Sequence, residues 1–261
     1  MCCDRTYTCV KYEAEGKIAR ITMNNPDKMN PLDEAMSAEL TDALFDAGED
    51  DGVKVIVLTG EGKAFCAGGD VAHMAELDLE GAYDYVKMAQ KVVSAFKDAE
   101  KPIIAAVNGF AVGAGLSLAL LSDIVISSEK AVYGCAFVKV GLIPDLGLMY
   151  TLPRAVGLNK ANELVMTGKN FNAQEAYRFG IVNRVVEHEK LDEAVSEMCT
   201  LLAGHPRRAM GSAKKLMTMG LNMTLNELLE AEALEQSICM MSGDAREGVD
   251  AFINKRPPCF R

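Results

Sequence analysis

The sequence predicts an α/β fold with parallel strands, and three observations carry that expectation. Residues 53–58, 103–107 and 124–127 are short apolar runs, mostly β-branched, the pattern of strands covered on both faces. A helix-length stretch, 79–97, separates the first two, with Tyr83, Val86, Met88, Val92, Val93 and Phe96 expected along its buried stripe. From about Gly147 onward the pattern is nearly all helical, broken by one short strand at 181–186. Strand, helix, strand, helix in that order argues for a parallel sheet joined by crossovers.

The other elements follow from local signals. Residues 6–12 and 17–23 read as two short strands joined by a turn at Glu15-Gly16. Asn24-Asn25-Pro26-Asp27 is a breaker cluster, and beyond it Leu32, Met36, Leu40, Leu44 and Phe45 mark one face of a helix. Residues 224–241 are amphipathic, with Leu225, Leu228, Leu229, Ala233, Leu234 and Ile238 on one side. Such a helical tail can pack on its own core or on a neighbouring subunit. No internal repeat or low-complexity linker stands out.

With 261 residues, 49% hydrophobic and 25% charged, the chain has the composition of a globular protein with a sizeable core. Its formal net charge of −10 argues against a nucleic-acid partner, which needs a basic face. The eight cysteines form no CxxC pair and read as free thiols of a reducing compartment. Met1-Cys2-Cys3-Asp4-Arg5-Thr6 lacks the apolar centre of a signal peptide, and no run reaches the roughly 18 apolar residues of a membrane span. A cytoplasmic protein without a membrane partner is expected. His73, His188 and His205 show no ligand spacing, so no metal is expected either.

Two glycine-rich segments stand out. Gly62-Lys63-Ala64-Phe65-Cys66-Ala67-Gly68-Gly69-Asp70 follows the strand at 53–58, and Gly109-Phe110-Ala111-Val112-Gly113-Ala114-Gly115 follows the one at 103–107 and opens an apolar helix at 116–121. Each leaves the carboxyl end of a buried strand, where open α/β sheets bind ligands. The second also ends at a helix N-terminus, whose unpaired N–H groups favour negative charge. Two such donors converging on one oxygen form an oxyanion hole. The plainer alternative is tight packing at a strand-to-helix turn. The P-loop motif is absent, and the second segment lacks the last Gly or Ala of GxGxxG.

The order of these segments is more specific than either alone. Ala64-Phe65-Cys66-Ala67-Gly68-Gly69-Asp70, then Lys101-Pro102-Ile103-Ile104-Ala105-Ala106-Val107-Asn108-Gly109 and Gly113-Ala114-Gly115, resembles the crotonase, or enoyl-CoA hydratase/isomerase, superfamily. The likeness runs from Asn25-Pro26-Asp27-Lys28-Met29-Asn30 to Phe252-Ile253-Asn254-Lys255-Arg256-Pro257. It implies a ββα spiral core over residues 1–200 and a helical trimerisation region over 201–261, assembled as a homotrimer or a dimer of trimers. It implies an acyl-CoA thioester as substrate, with coenzyme A part of that substrate and no separate cofactor. It further implies that the N–H groups of Ala67 and Ala114 hold the thioester oxygen. Ala64, Gly68, Gly69, Asp70 and Phe137 then fall around the substrate, and Lys28 and Lys255 at basic positions near the CoA phosphates. Either lysine read alone is a solvated surface charge, and Asp70 read alone braces its own loop.

The sequence departs from the family's hydratases at both glutamates that handle water. Ser117 and Phe137 stand there instead, and neither is a carboxylate able to serve as acid or base. A carboxylate appears eight residues later, in Gly141-Leu142-Ile143-Pro144-Asp145-Leu146-Gly147. Certain isomerases of the family carry an aspartate at that place. Asp145 is therefore expected as a proton shuttle, with Phe65, Phe137, Leu148 and Met149 as apolar walls that raise its pKa. Its plain alternative is an N-cap for the helix that follows. A double-bond isomerase is the leading expectation. A hydratase or other enolate-forming lyase, and a catalytically silent acyl-CoA-binding relative, are the alternatives. His73 as a lining residue, and Cys66 and Cys135 beside the site, carry no strong signal of chemistry.

Overall fold

The computed structural model describes residues 6–260; residues 1–5, which were read for a leader and include Cys2 and Cys3, lie outside them, as does Arg261. A hairpin of β1 (Val10–Glu15) and β2 (Ile18–Met23) opens the chain, with Gly16 at its tip in a left-handed conformation, φ 59°. The first strand starts later than expected because the N–H groups of Thr8, Cys9 and Val10 all donate to the Glu39 carboxylate. That carboxylate belongs to α1 (Glu34–Glu49), which Asp33 caps by accepting the Met36 N–H at 2.8 Å. Met36, Leu40 and Leu44 are buried as expected, whereas Phe45 is 45% exposed, one residue off the stripe.

Three strand–strand–helix units come next. They are β3 (Val55–Gly60), β4 (Ala64–Cys66), α2 (Val71–Met74) and α3 (Leu79–Asp98); β5 (Ile103–Val107), β6 (Phe110–Val112) and α4 (Ala114–Leu121); and β7 (Ile124–Ser128), β8 (Val132–Gly134) and, after a 3-10 turn at Ala136–Val140, α5 (Leu148–Val156). The chain continues through α6 (Leu158–Thr167), β9 (Asn170–Asn172), α7 (Ala173–Phe179), β10 (Arg184–Val186) and α8 (Leu191–Ala203). It ends in α9 (Arg207–Gly220), α10 (Leu225–Met240) and α11 (Gly243–Ile253). The first strand of each unit joins a sheet ordered β1-β2-β3-β5-β7-β10, and the second joins a sheet ordered β4-β6-β8-β9. Pairing is parallel except at the β1 and β9 edges. The chain thus spirals, adding one strand to each sheet per turn. The repeat was invisible in the sequence because β4, β6 and β8 are three residues each, too short for a period to register.

Alternation along β3 shows how the sheet is covered. Ile56 and Leu58 enter the main core with α1 and α3, while Val55 and Val57 face Leu191, Ala194, Val195 and Cys199 of α8. The buried stripe of α3 is Tyr85, Ala89, Val92, Ala95 and Phe96. Tyr83 and Val86, expected inside, are 65% and 37% exposed. The error has a physical source: alanines let α3 approach α1 closely, but contribute little to an apolar pattern. The strand expected over 181–186 starts only at Arg184. The N–H groups of Ile181 and Val182 return to the Ala176 carbonyl and close α7 around Gly180, φ 83°.

α9 docks on the core through the Lys214 ammonium, which reaches the Asp123 carboxylate at 2.8 Å and the Lys101 carbonyl at 3.1 Å. α10 has no buried residue, and Leu225 and Leu234 on it are 69% and 64% exposed. No helix among the described residues is long and apolar enough to cross a membrane.

Candidate active site

The second glycine loop is shaped by its own helix. Gly113 sits before α4 at φ 58°, ψ −120°, a conformation that excludes a side chain, and its N–H donates to the Gly134 carbonyl at 2.9 Å. The Leu116 and Ser117 N–H groups fold back to the Gly113 carbonyl, while the Ala114 N–H finds no acceptor among the described residues. A Cβ on Gly115 would strike the Cys66 carbonyl. Glycine there lets the first turn of α4 lie directly against the other loop.

The first loop is shaped from outside. Asn30 is fully buried in a left-handed conformation, φ 54°, and its side-chain amide donates to the carbonyls of Glu61 and Ala64. The Ala67 N–H donates to the Met29 carbonyl at 3.1 Å. It is therefore not a free donor, and the expectation placed on Ala67 is corrected to Gly69, two residues on. The Leu32 N–H holds the Gly68 carbonyl at 2.8 Å. Carbonyl and N–H of one trans peptide point in opposite directions, so this bond turns the Gly69 N–H away from Leu32. No acceptor meets that N–H among the described residues. Ala64 is corrected as well: it is fully buried with its carbonyl engaged, so it braces the loop and presents no surface to a ligand. Asp70 caps α2 by accepting the His73 N–H at 3.2 Å.

Asp145 lies between the 3-10 turn and α5. Ser117 on α4 donates its hydroxyl to the Asp145 carbonyl at 3.3 Å, which sets the aspartate beside the second loop. Its side chain is not the helix cap, since Gly147 occupies that position and no side-chain cap bond forms. Leu146 and Gly147 are both left-handed, at φ 48° and 75°, and an L residue in that region carries strain of about 1 kcal/mol or more. The carboxyl is pushed up to about 6 by burial, and one of its oxygens is buried with no hydrogen-bond partner. A carboxyl in that condition accepts a proton near neutrality.

The expected walls divide. The Phe137 ring comes 3.9 Å from where a Cβ on Gly113 would stand, so it does flank the second loop. Phe65 and Leu148 are fully buried in the core, and Met149 is 57% exposed. Burial pushes the Cys66 thiol up to about 12 and the Cys135 thiol to about 11, which leaves neither as a nucleophile. His73 and Tyr85, with ring centroids 5.7 Å apart, line a groove of about 720 Å³ that runs along α3 past Glu34 and Lys91. Sequence reasoning passed over Tyr85, because it set the buried stripe of this helix on Tyr83 and Val86 instead. Its hydroxyl comes 3.6 Å from the Cβ position of Gly69. Lys28 and Lys255 are exposed, the former on a 3-10 turn and the latter just past α11 at φ 52°.

Paired strands followed by a helix, repeated as a spiral and closed by a helical tail, define the crotonase fold. The chain belongs to the enoyl-CoA hydratase/isomerase family, whose model matches residues 13–261. It is 34% identical to the crotonyl-CoA hydratase of Syntrophomonas wolfei, over 97% of this chain and 98% of that one. It is 35% identical to the 1,2-epoxyphenylacetyl-CoA isomerase of Escherichia coli, over 94% and 95%. A crystal structure of enoyl-CoA hydratase from Bacillus anthracis superposes with a TM-score of 0.93 at 32% identity, covering 97% of this chain and 99% of that one. Hydratase names predominate among such relatives, and an isomerase is among them. An acyl-CoA thioester is the substrate class that fits this family.

Proposed function

We propose that this chain is an acyl-CoA double-bond isomerase. The observation that carries the reading is Asp145: a carboxyl raised to about 6 with an unpartnered oxygen, in a chain whose Ser117 and Phe137 replace the hydratase acids. The Gly69 and Ala114 N–H groups receive the thioester oxygen. Asp145 removes a proton from the carbon next to the carbonyl, and the electron pair delocalises onto that oxygen as the dienolate. Asp145 then returns the proton two carbons further out, so the double bond moves into conjugation and no atom is gained or lost. Each hole donor contributes a factor of about 10²–10³ in rate. Coenzyme A enters only as part of the substrate, with Lys28 and Lys255 assigned to its phosphates. We assign 201–261 to assembly of a homotrimer or a dimer of trimers, which the exposed Leu225, Leu234, Phe252 and Ile253 support.

Asp145→Asn tests the reading. Turnover of 3-enoyl-CoA substrates should fall by about 10²–10⁴ while binding persists, and retained isomerisation would sink the assignment. In the parent protein kcat/KM should rise with pH through about 6, as Asp145 loses its proton. Hydration with Asp145 as the sole acid–base group is the second reading, favoured by relatives such as the Syntrophomonas wolfei hydratase.

A further inference from the structure

We propose that Tyr85 is a positioning residue that aims the Gly69 N–H into the site by way of Leu32. The Tyr85 hydroxyl donates to the Leu32 carbonyl at 3.1 Å, and the Leu32 N–H donates to the Gly68 carbonyl at 2.8 Å. Leu32 is thus gripped on both backbone polar groups, by α3 on one side and by the first loop on the other. Gly68 and Gly69 have no side chains to resist rotation of the peptide between them, and Gly68 sits at φ +118°, where L residues rarely go. The restraint must come from outside the loop, and the Leu32 bond supplies it.

Tyr85 is suited to hold that restraint. It is 7% exposed, packed into α3 beside the core, so its ring has little freedom. Burial raises its pKa, a backbone hydrogen bond at Asp70 opposes that, and the charges of Asp33, Asp70 and Asp145 add to the rise. The hydroxyl stays protonated, and only that form donates to a carbonyl. Removing the hydroxyl leaves the Leu32 carbonyl without this donor and frees the segment that sets the Gly68–Gly69 peptide. The effect on chemistry is indirect: the Gly69 N–H remains but points less well, and hydrogen bonds weaken steeply with misalignment.

The inference rests on the proposed role of Gly69 and Ala114 in holding the thioester oxygen, and not on which reaction follows. Its test uses the full chain and butyryl-CoA labelled with carbon-13 at the carbonyl, which has no double bond to shift or hydrate. Difference infrared spectra report how strongly the bound carbonyl is polarised. The parent protein should lower the carbonyl stretch, and Tyr85→Phe should lose about half of that shift. With an unsaturated substrate, kcat should fall about tenfold with KM within about twofold. A full shift in folded Tyr85→Phe overturns the role of Tyr85 and leaves the hole standing. No shift in the parent protein overturns the hole and the role together. Should Tyr85→Phe fail to fold, hydrogen exchange in the parent protein decides. A protected Leu32 amide beside a fast Gly69 amide supports the clamp, and a Leu32 amide exchanging as fast as Gly69 overturns it.

Discussion

The loop at Gly113 to Gly115 takes its free N–H from the helix it starts, whereas the loop at Gly68 and Gly69 takes its from bonds made by residues far back in the chain. In the first case the reason is local: the opening N–H groups of any helix lack intrahelical partners, and Ala114 is the first residue of α4. In the second, Met29 occupies the Ala67 N–H, Leu32 holds the Gly68 carbonyl, and the free donor is left at Gly69. Two free N–H groups are thus secured by unlike means. One is rigid by secondary structure and the other by tertiary contact.

That contrast is open to breakage, most forcefully at Gly115. A Cβ there meets the backbone carbonyl of Cys66, which cannot swing aside. Gly115→Ala should cost about 3 kcal/mol and lower Tm by roughly 6–12 °C for a chain of this size, read by calorimetry, with activity lost alongside. At Gly69 the added Cβ meets the Met74 methyl, the flexible end of a long side chain. Gly69→Ala should cost under about 1 kcal/mol, with kcat within about fivefold of the parent in steady-state assays. Comparable damage at the two glycines would erase the distinction. The smallest effect is expected for Ala114→Gly, which keeps the N–H: about 1 kcal/mol of helix stability at most, and nearly unchanged kcat.

What could be read beforehand follows the same division. The strands at β3 and β5, the helix α3 and the free N–H at Ala114 were legible, because each is specified by its own few residues. Ala67 was misassigned for Gly69, and Tyr85 was missed, because both depend on where Met29 and Leu32 arrive in space. The three-residue strands β4, β6 and β8 carry no period, so the second sheet was reachable only through the family resemblance. Asp145 was singled out from the chain, but only the structure shows that its side chain is not the helix cap. Gly147 takes the cap position, and one carboxyl oxygen is left buried and unpartnered.

Asp145 also sets a cost that the loops do not. Its folded pKa of about 6 stands above the ordinary 3.8, so the folded state holds the proton more tightly. The stability this gives is complete below about pH 4 and is lost as pH rises through 6. Near neutrality the charged, partly desolvated carboxylate destabilises the fold by on the order of 1–3 kcal/mol. Asp145→Asn should therefore raise Tm at pH 8 and change it little at pH 4. An unchanged or lowered Tm at pH 8 would mean that the carboxylate is not held at such a cost.

The most direct measurement follows 3-butenoyl-CoA and crotonyl-CoA in parallel, with mass and ultraviolet absorbance recorded on each product. If Asp145 shuttles a proton and no residue delivers water, 3-butenoyl-CoA gains conjugated absorbance at constant mass, and crotonyl-CoA stays unhydrated. Crotonyl-CoA gaining the mass of one water, at a rate matching or exceeding isomerisation, would contradict the account and make the chain a hydratase.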